Sequence, residues 1–220
     1  MKIIVIGGKG TAVNIAEQIV DAHRSYGAKA EFLGYAFDDP AFGENINGHP
    51  ILCKTRDLNA MYSHYSDIGF LYALYNPDKM RERVQLLKSY DIPREKFCNF
   101  IHPNSYISKS CKMGFGNVVL SHSSVQANVT LGDFNIINSN VVVEHDTNLE
   151  SNNFIAASTC LGSFINVANG VFIGLNSTVR ERVRIEDYAF VGMGSNVLND
   201  IDAERIVFGN PAKEYKRSLK

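Results

Sequence analysis

A six-residue repeat between Ile101 and Val197 restricts the possible folds more than any other feature of the chain. Every sixth residue in this stretch is aliphatic, counting Met113, and the register contains no gap or insertion. A helix repeats its apolar face near 3.6 residues and a strand near 2, so neither explains this period. A hexapeptide repeat is typical of a parallel β-helix, whose left-handed form uses three hexads, roughly 18 residues, for each coil. The positions that we expect to stack inward are Ile101, Ile107, Met113, Val119, Val125, Leu131, Ile137, Val143, Leu149, Ile155, Leu161, Val167, Ile173, Val179, Ile185, Val191 and Val197.

The same repeat gives the size and the corners of this β-helix. The stretch is long enough for about five to six coils. The residue two places before the aliphatic position is often small, which predicts that it lies near a corner. The small residues are Ser105, Cys111, Ser123, Thr147, Thr159, Ser177, Ala189 and Ser195. A β-sandwich with accidental spacing is the alternative, but nothing in a sandwich maintains an unbroken period of six.

The first hundred residues begin with the pattern of a nucleotide-binding α/β unit. The β-branched run 2–6 predicts a buried parallel strand, and it is followed by the turn Gly7-Gly8-Lys9-Gly10 and a helical pattern over 13–22. Such glycines let the backbone turn tightly and present N–H groups to a phosphate at a helix N-terminus. The turn lacks the third glycine of the dinucleotide fingerprint and the Lys-Ser/Thr ending of a Walker loop. We predict that Gly8, Lys9 and Gly10 bind the nucleotide part of a substrate; a glycine turn without a ligand is the alternative.

The following elements complete the unit and add three candidate binding residues. A second strand over 30–37 ends at Asp38 and Asp39, and a third over 67–74 is followed by Asn76. An acidic pair at this place suits a ribose or sugar hydroxyl, and a solvated turn explains it equally well. A surface helix over 78–90 and a last strand over 97–101 follow. We therefore predict a Rossmann-like unit over 1–100, sized for one nucleotide rather than NAD, an all-β left-handed β-helix over 101–200 and a tail over 201–220.

Composition narrows the functional class. The formal net charge is −1, which gives no global field to attract nucleic acid or a membrane surface. No apolar run approaches about 18 residues, and the N-terminal apolar run is too short for a signal-peptide core. The four cysteines have neither disulfide nor metal spacing. We expect a cytoplasmic protein with reduced thiols and no partner among membranes or nucleic acids.

One histidine stands out as a candidate catalyst. His145 follows the aliphatic Val143 by two residues and lies between Glu144 and Asp146. A carboxylate that accepts a hydrogen bond from one imidazole nitrogen fixes the tautomer and raises the basicity of the other nitrogen. Such a histidine can act as a general base. A corner histidine that only forms a salt link remains the alternative.

Four segments resemble the NeuD/PglD-type bacterial sugar acyltransferases of the hexapeptide-repeat superfamily. They are the turn over 4–12, the run NSNVVVEHD over 138–146, the run FIGLNS over 172–177 and the ending GNPAK over 209–213. The resemblance extends over nearly the whole chain. It implies a homotrimer with acetyl-CoA in the groove between neighbouring prisms and a nucleotide amino sugar held by the N-terminal unit. It further implies His145 as the base, Asp146 and Glu144 beside it, and Asn138 near the acceptor.

Two positions depart from that family. Thr11 stands where related chains often have a histidine after the glycine turn, and Phe154 stands where a second histidine commonly contacts acetyl-CoA. These departures leave the acceptor contacts and the identity of the acyl group open.

The expected reaction is direct acyl transfer without a covalent enzyme intermediate, since no Ser or Cys is paired with His145 in a nucleophile motif. For the acyl donor we predict contacts with Phe154, with small residues that leave room for the pantetheine arm, and with cations that bind phosphates. The small residues are Ser163, Gly174 and Gly192, and the cations are Lys213 with Arg180 or Arg182.

Several functions fit these patterns. The preferred one is an N-acetyltransferase acting on a UDP- or dTDP-linked amino sugar. An O-acetyltransferase of a sialic-acid-like sugar would use the same base. A β-helix metal enzyme of the carbonic-anhydrase type would need three converging histidines, and the repeat region supplies only His122 and His145, so we expect no metal. A purely structural scaffold is disfavoured by the glycine turn and by the Glu-His-Asp sequence.

Overall fold

The first half of the chain forms an α/β unit in this computed structural model, which describes residues 1–215. Its strands are β1 (Lys2–Ile6), β2 (Glu31–Ala36), β3 (Asn45–Ile46), β4 (His49–Cys53) and β5 (Ile68–Tyr72). Its helices are α1 (Thr11–Tyr26), α2 (Leu58–Tyr62) and α3 (Met80–Ser89), with short 3-10 turns at Pro40–Phe42, Thr55–Asp57, Pro77–Lys79 and Arg94–Lys96. The sheet order is β3-β4-β2-β1-β5, and every pair is parallel except β3 with β4.

The central strand β1 explains why helices cover both faces of this sheet. Ile3 and Val5 pack in the same cluster as the apolar face of α1, whereas Ile4 and Ile6 pack with α2 and α3. Side chains of a strand alternate between its faces, so a strand that is apolar at every position must be covered on both sides. Helix α1 ends at Gly27, whose φ of 66° is the left-handed value common after helices.

The second half is a parallel β-helix with one two-residue strand for each predicted hexad, and each strand ends on the predicted aliphatic residue. The strands are β6 (Phe100–Ile101), β7 (Tyr106–Ile107), β8 (Lys112–Met113), β9 (Val118–Val119), β10 (Ser124–Val125), β11 (Thr130–Leu131), β12 (Ile136–Ile137), β13 (Val142–Val143), β14 (Asn148–Leu149), β15 (Phe154–Ile155), β16 (Cys160–Leu161), β17 (Asn166–Val167), β18 (Phe172–Ile173), β19 (Thr178–Val179), β20 (Arg184–Ile185), β21 (Phe190–Val191) and β22 (Asn196–Val197).

These strands form the three faces of a prism. The first face contains β7, β10, β13, β16, β19 and β22, the second contains β8, β11, β14, β17 and β20, and the third begins with β6, β9, β12, β15, β18 and β21. Ile137 pairs with Ile155 and Ile155 with Ile173, so each residue lies above its counterpart one coil earlier. The predicted tail contains β23 (Ile206–Phe208), which extends the third face, and β24 (Lys213–Glu214), which pairs with β23.

The inward column is buried except at its first coil. From Val119 onward the repeat residues belong to one core, with Ile107 and Met113 partly buried against it. Ile101 pairs in register with the buried Val119, but its own side chain is 38% exposed. It lies on the first strand of the prism, where no earlier coil covers it.

Two features make the corners. Every sixth residue from Gly116 to Gly194 has a positive φ, including the bulky Phe134, Phe164 and Tyr188. The second feature is a set of buried hydroxyls at the predicted corner positions. Ser123, for example, donates to the Asn138 carbonyl at 2.7 Å and accepts from the Val141 amide at 3.2 Å. These bonds satisfy backbone groups that turn away from the strand ladder.

The α/β unit packs on the third face of the prism. Outward residues Phe100, Val118 and Ile136 belong to the same apolar cluster as α1. Polar contacts surround this cluster: Arg94 donates two hydrogen bonds to Asp133 at 2.6 and 2.7 Å, and Gln18 contacts two serines of the prism. The junction therefore fixes one face of the prism and leaves the first and second faces uncovered by the α/β unit.

Candidate active site

The edge between the first and second faces carries His145. This residue follows β13 and precedes β14, and its side chain is 46% exposed. Its Nδ1 lies 2.7 Å from Oδ2 of Asp146, and its ring packs edge-on against Phe164 with the centroids 5.3 Å apart. Asp146 is the positive-φ residue of this corner, with φ of 57°. The left-handed turn at Asp146 thus accompanies the contact between its carboxylate and the preceding imidazole.

Asp146 is held in place from a second side. Asn128, at the same corner one coil earlier, donates to Oδ1 of Asp146 at 2.9 Å. The hydrogen bonds from His145 and Asn128 keep the pKa of Asp146 below its ordinary value. The carboxylate is therefore ionised near neutral pH and can only accept, so the proton of a neutral His145 belongs on Nδ1. Nε2 then has a free electron pair, which is the state that a general base needs.

Ser163 contacts that second nitrogen. Its Oγ lies 3.0 Å from Nε2 of His145, and Ser163 follows His145 by one coil of 18 residues. The sequence around His145 contains no nucleophile motif, but the β-helix makes residues 18 apart direct neighbours and so brings Ser163 to the histidine.

Glu144 and Asn138 do not share this contact. Glu144 is half-buried, and its carboxylate makes no hydrogen bond or ion pair within residues 1–215. Asn138 lies at the edge between the third and first faces, and its side-chain amide donates to the Ile155 carbonyl at 2.9 Å. One whole side of the coil separates Asn138 from His145. Within one chain, only Asp146 of the predicted catalytic partners contacts the histidine.

The predicted sugar-binding residues meet at a cleft in the α/β unit. Lys9, Asp38, Asp39 and Asn76 all line a cavity of about 560 Å³ at the carboxyl ends of β1, β2 and β5. Because β2 and β5 lie on opposite sides of β1, this is the switch point where ligands of open α/β sheets bind. The remaining walls come from Phe37, Thr55, Ala73, Leu74, Tyr75, Arg83, Leu86 and Tyr90.

The acidic pair at this cleft already has partners. Asp38 accepts from the amide and the hydroxyl of Thr55 at 3.0 and 2.6 Å. Asp39 accepts from Lys9 Nζ at 2.6 Å and from the Ala41 amide at 3.0 Å. The bond from Lys9, then that from Ala41, lowers the pKa of Asp39. Both side chains are therefore walls of the cleft whose conformations are fixed by hydrogen bonds within the unit.

The glycine turn requires glycine at two positions for different reasons. A Cβ on Gly8 would lie 2.4 Å from the Phe37 ring, so the space beside it is filled. Gly10 has open space around it but adopts φ of 51° and ψ of −113°, a backbone conformation that side chains disfavour. Asn76 caps the turn at the entry to α3 by accepting from the Asp78 amide at 3.0 Å.

The predicted contacts for the acyl donor are dispersed. Gly174 and Gly192 lie in one column with Asn138, and a Cβ on Gly174 would lie 2.6 Å from the Met193 amide nitrogen. A Cβ on Gly192 would likewise lie 2.7 Å from Phe208, so a side chain at either glycine would collide with the next layer of the prism. Phe154 stacks on Phe172 with centroids 5.3 Å apart, on the face toward the α/β unit. Lys213 is exposed in β24.

Sequence reasoning missed three further polar residues near these sites. Tyr75 donates to the Phe134 carbonyl at 2.9 Å and lies 3.2 Å from Asn152 Oδ1, which ties the cleft to the edge between the second and third faces. Arg83 and Tyr90 reach the cleft from α3 and from its end. No signal in the sequence distinguishes them from ordinary surface-helix residues. The pairing of Ser163 with His145, by contrast, follows from the period of 18.

Within residues 1–215, no group of three or more His, Cys, Asp and Glu side chains is arranged to hold a metal ion. Over the same range, none of the helices has the length and apolar character required to span a bilayer.

Solved structures resemble the chain over its whole length. PerB from Caulobacter crescentus, solved with CoA and GDP-perosamine, is 25% identical, with 98% of both chains covered and a TM-score of 0.79. The acetyltransferase domain of PglB from Neisseria gonorrhoeae is 26% identical, with 97% of this chain and 99% of that chain covered and a TM-score of 0.82. WeeI from Acinetobacter baumannii shares the fold at 22% identity, with coverage of 98% and 100% and a TM-score of 0.79.

These likenesses confirm the predicted architecture, an α/β unit followed by a left-handed parallel β-helix. They also confirm the predicted class, an acyltransferase similar to the sugar acetyltransferases of the hexapeptide-repeat superfamily. No protein-family model and no curated protein matches the chain.

Proposed function

We propose that the protein transfers an acetyl group from acetyl-CoA to the amino group of a nucleotide-linked sugar. The observation that carries this proposal is the pair formed by His145 and Asp146 on an exposed edge of the prism. An imidazole oriented by an ionised carboxylate, with an electron pair on its other nitrogen, is the arrangement that general-base catalysis requires. PerB and the PglB domain support the choice of donor and acceptor, since the first was solved with CoA and GDP-perosamine and the second with acetyl coenzyme A.

The proposed reaction is direct. The acceptor nitrogen attacks the thioester carbonyl while Nε2 of His145 takes the proton that this nitrogen loses. Asp146 accepts from Nδ1 throughout and stabilises the imidazolium that forms. Collapse of the tetrahedral intermediate releases the thiolate of CoA, and the imidazolium returns the proton to it.

We place the nucleotide of the acceptor in the cleft of the α/β unit. Lys9 and Arg83 supply positive charge there, and Nε of Arg83 is buried without a hydrogen-bond partner among residues 1–215. A nucleotide phosphate would provide the acceptor that this nitrogen lacks. In this proposal Gly8 and Gly10 shape the turn around the phosphates, and Asp38, Asp39 and Asn76 contact the ribose or sugar. The acceptor screen described below identifies the nucleobase, whether uracil, thymine or another.

The separation of these groups supports a homotrimer. His145, Asn138 and the edge next to the cleft lie on three different edges of one prism, so one chain does not bring them together. A closed cyclic assembly places an edge of one subunit beside a different edge of its neighbour. In that arrangement acetyl-CoA would lie between prisms, near Ser163 and the cations Arg180, Arg182 and Lys213. Asn138, Glu144, Phe154, Gly174 and Gly192 remain proposed contacts of that groove. The unpaired cysteines fit a cytoplasmic protein.

A hydroxyl acceptor is the second candidate, because the same base would serve an O-acetyltransferase of a sialic-acid-like sugar. The pH dependence of the His145→Ala variant separates the two. A larger fraction of the amine is already deprotonated as pH rises toward its pKa, so the amine depends less on a general base. The loss of turnover in His145→Ala should therefore shrink toward alkaline pH for N-acetylation. A hydroxyl stays protonated over that range, so the defect should remain constant for O-acetylation.

The test combines an acceptor screen with two histidine variants. Purified protein is given acetyl-CoA and a panel of nucleotide-linked amino sugars and sialic acids, and free thiol is measured with product mass. We expect His145→Ala to lower turnover by roughly 10²- to 10⁴-fold, whereas His122→Ala, at another edge, retains it. Equal loss in both variants, or full activity in His145→Ala, would refute the assignment of the base.

A further inference from the structure

The bonding of Ser163 differs from that of three buried corner hydroxyls. Ser123, Thr147 and Thr159 are buried, and each donates to a backbone carbonyl 15 residues later in the chain. They are structural parts of the prism. Ser163 is only half-buried, and its hydroxyl makes one hydrogen bond within residues 1–215, to Nε2 of His145 at 3.0 Å. The hydroxyl of Ser163 therefore makes no hydrogen bond to the backbone, so it does not support the prism as the three buried hydroxyls do.

Ser163 completes a row of three groups. Asp146 accepts from His145 at 2.7 Å, and the opposite nitrogen of His145 accepts from Ser163. A nucleophile within hydrogen-bond reach of a base, which a third group orients, is the arrangement that activates serine hydroxyls in acyl transfer. Asn128 donates to the Asp146 carboxylate, and the Phe164 ring packs against the His145 imidazole, so both fix the conformation of the row.

The surroundings of Ser163 suit an acyl group. Its own backbone N–H makes no hydrogen bond within the described part of the chain, and the amide of a nucleophilic serine is one of the usual oxyanion donors. The guanidinium of Arg182 lies over Phe164, 4.7 Å from its centroid, and adds positive charge at the same edge. Both features would stabilise the negative charge of a tetrahedral intermediate at Ser163.

We propose that Ser163 is a nucleophile, and that without a sugar acceptor the protein hydrolyses acyl-CoA through an acyl-serine. This inference rests on the proposed function for the binding of acyl-CoA. Oγ attacks the thioester carbonyl and gives its proton to Nε2 of His145; the C–S bond breaks, and the CoA thiolate receives that proton. Water then attacks the acyl-serine with His145 as base, the C–O bond breaks, and the serine hydroxyl and a carboxylic acid result. One water is consumed for each thioester.

The first experiment tests the nucleophile independently of the acyl donor. A fluorophosphonate probe, which labels activated serines, is incubated with the wild-type protein and three variants, and the labelled peptide is located by mass spectrometry. We expect labelling at Ser163 in the wild type, none in Ser163→Ala or His145→Ala, and wild-type labelling in Ser110→Ala. Ser110 is an exposed serine on the same edge, which makes it a matched control. Melting temperatures verify that every variant is folded.

The second experiment measures thiol release from acetyl-CoA without a sugar, followed by intact mass for one added acetyl group. We expect Ser163→Ala to lower this hydrolysis by roughly a hundredfold or more. Absence of labelling at Ser163 in the wild type would overturn the proposal, and so would wild-type hydrolysis by Ser163→Ala. Sugar acetylation that continues in either case would leave the proposed function standing. Labelling of Ser163 without any sugar acetylation would support the nucleophile and refute the proposed function.

Discussion

The two halves of the chain position their functional side chains in different ways. In the β-helix each residue contacts mainly its counterparts one coil before and after, as in other solenoids, and this stacking alone places Ser163 against His145. In the α/β unit the cleft is built from segments far apart in sequence, such as Lys9, Asp39 and Arg83. In the prism, the period of the sequence therefore determines which side chains are neighbours. In the cleft, individual contacts between distant segments determine this.

The largest expected difference concerns the core of the prism. Leu131 is 1% exposed and points inward, whereas Thr130 in the same strand is exposed. Leu131→Asp buries a charge between two coils, and we expect it to cost more than about 4 kcal/mol and to prevent soluble expression. Thr130→Asp, the matched control, should fold. Urea unfolding of the soluble fraction checks both, and a stable Leu131→Asp protein would contradict the inward stacking.

Two glycines allow the halves to be compared directly. A Cβ on Gly174 meets backbone of the next coil at 2.6 Å, whereas one on Gly8 meets side-chain atoms of Phe37 and Ile46. Side chains can repack at about 1–3 kcal/mol, so Gly8→Ala should fall in that range. Gly174→Ala should cost more, because the coils cannot separate without losing their ladder bonds. Thermal unfolding gives the order, and a smaller effect at Gly174 would reverse the comparison.

Asp146→Asn tests how the prism orients its base. The imidazole remains, so we expect turnover to fall by roughly ten- to a hundredfold, less than in His145→Ala. The carboxylate with its lowered pKa stabilises the fold above pH about 3.8, and this contribution disappears as pH falls below that value. Because asparagine does not titrate, the variant should lose less free energy of unfolding than the wild type as pH falls from about 5 to about 2. Steady-state kinetics and acid unfolding measure the two effects separately.

The smallest effect is expected at Asp39. Its ion pair with Lys9 is solvent-exposed on the lysine side, so Asp39→Asn should change the free energy of unfolding by less than about 1 kcal/mol. If the cleft holds the sugar nucleotide, the same variant should weaken acceptor binding in calorimetry and leave acetyl-CoA binding unchanged. Unchanged acceptor affinity would mean that the acidic pair belongs only to the turn.

The sequence predicted the prism in more detail than the cleft, because the two halves depend on different kinds of contact. The period of six located the seventeen strands from β6 to β22 and the aliphatic residue that ends each one, because register in a solenoid is a local property. It did not predict the exposure of Ile101, which depends on the absence of an earlier coil, nor the filled space beside Gly174, which depends on the next one. In the cleft, the glycine turn and Asp38 and Asp39 were visible as strand-end signals. Arg83 was not, because a helix pattern says nothing about which polar residue reaches a neighbouring strand.

The constant offset between stacked residues also governs how such a protein can change in length. Pairing joins Ile137 to Ile155 and Ile155 to Ile173 without any shift. An insertion of one complete coil would lengthen the prism by about 4.8 Å, the spacing of neighbouring strands, and leave every later side chain on its original edge. An insertion of any other length must leave the prism as a loop at a corner. Variation among such proteins is therefore expected to occur in whole coils or in corner loops, and a loop between His145 and Ser163 would still keep the two residues in one column.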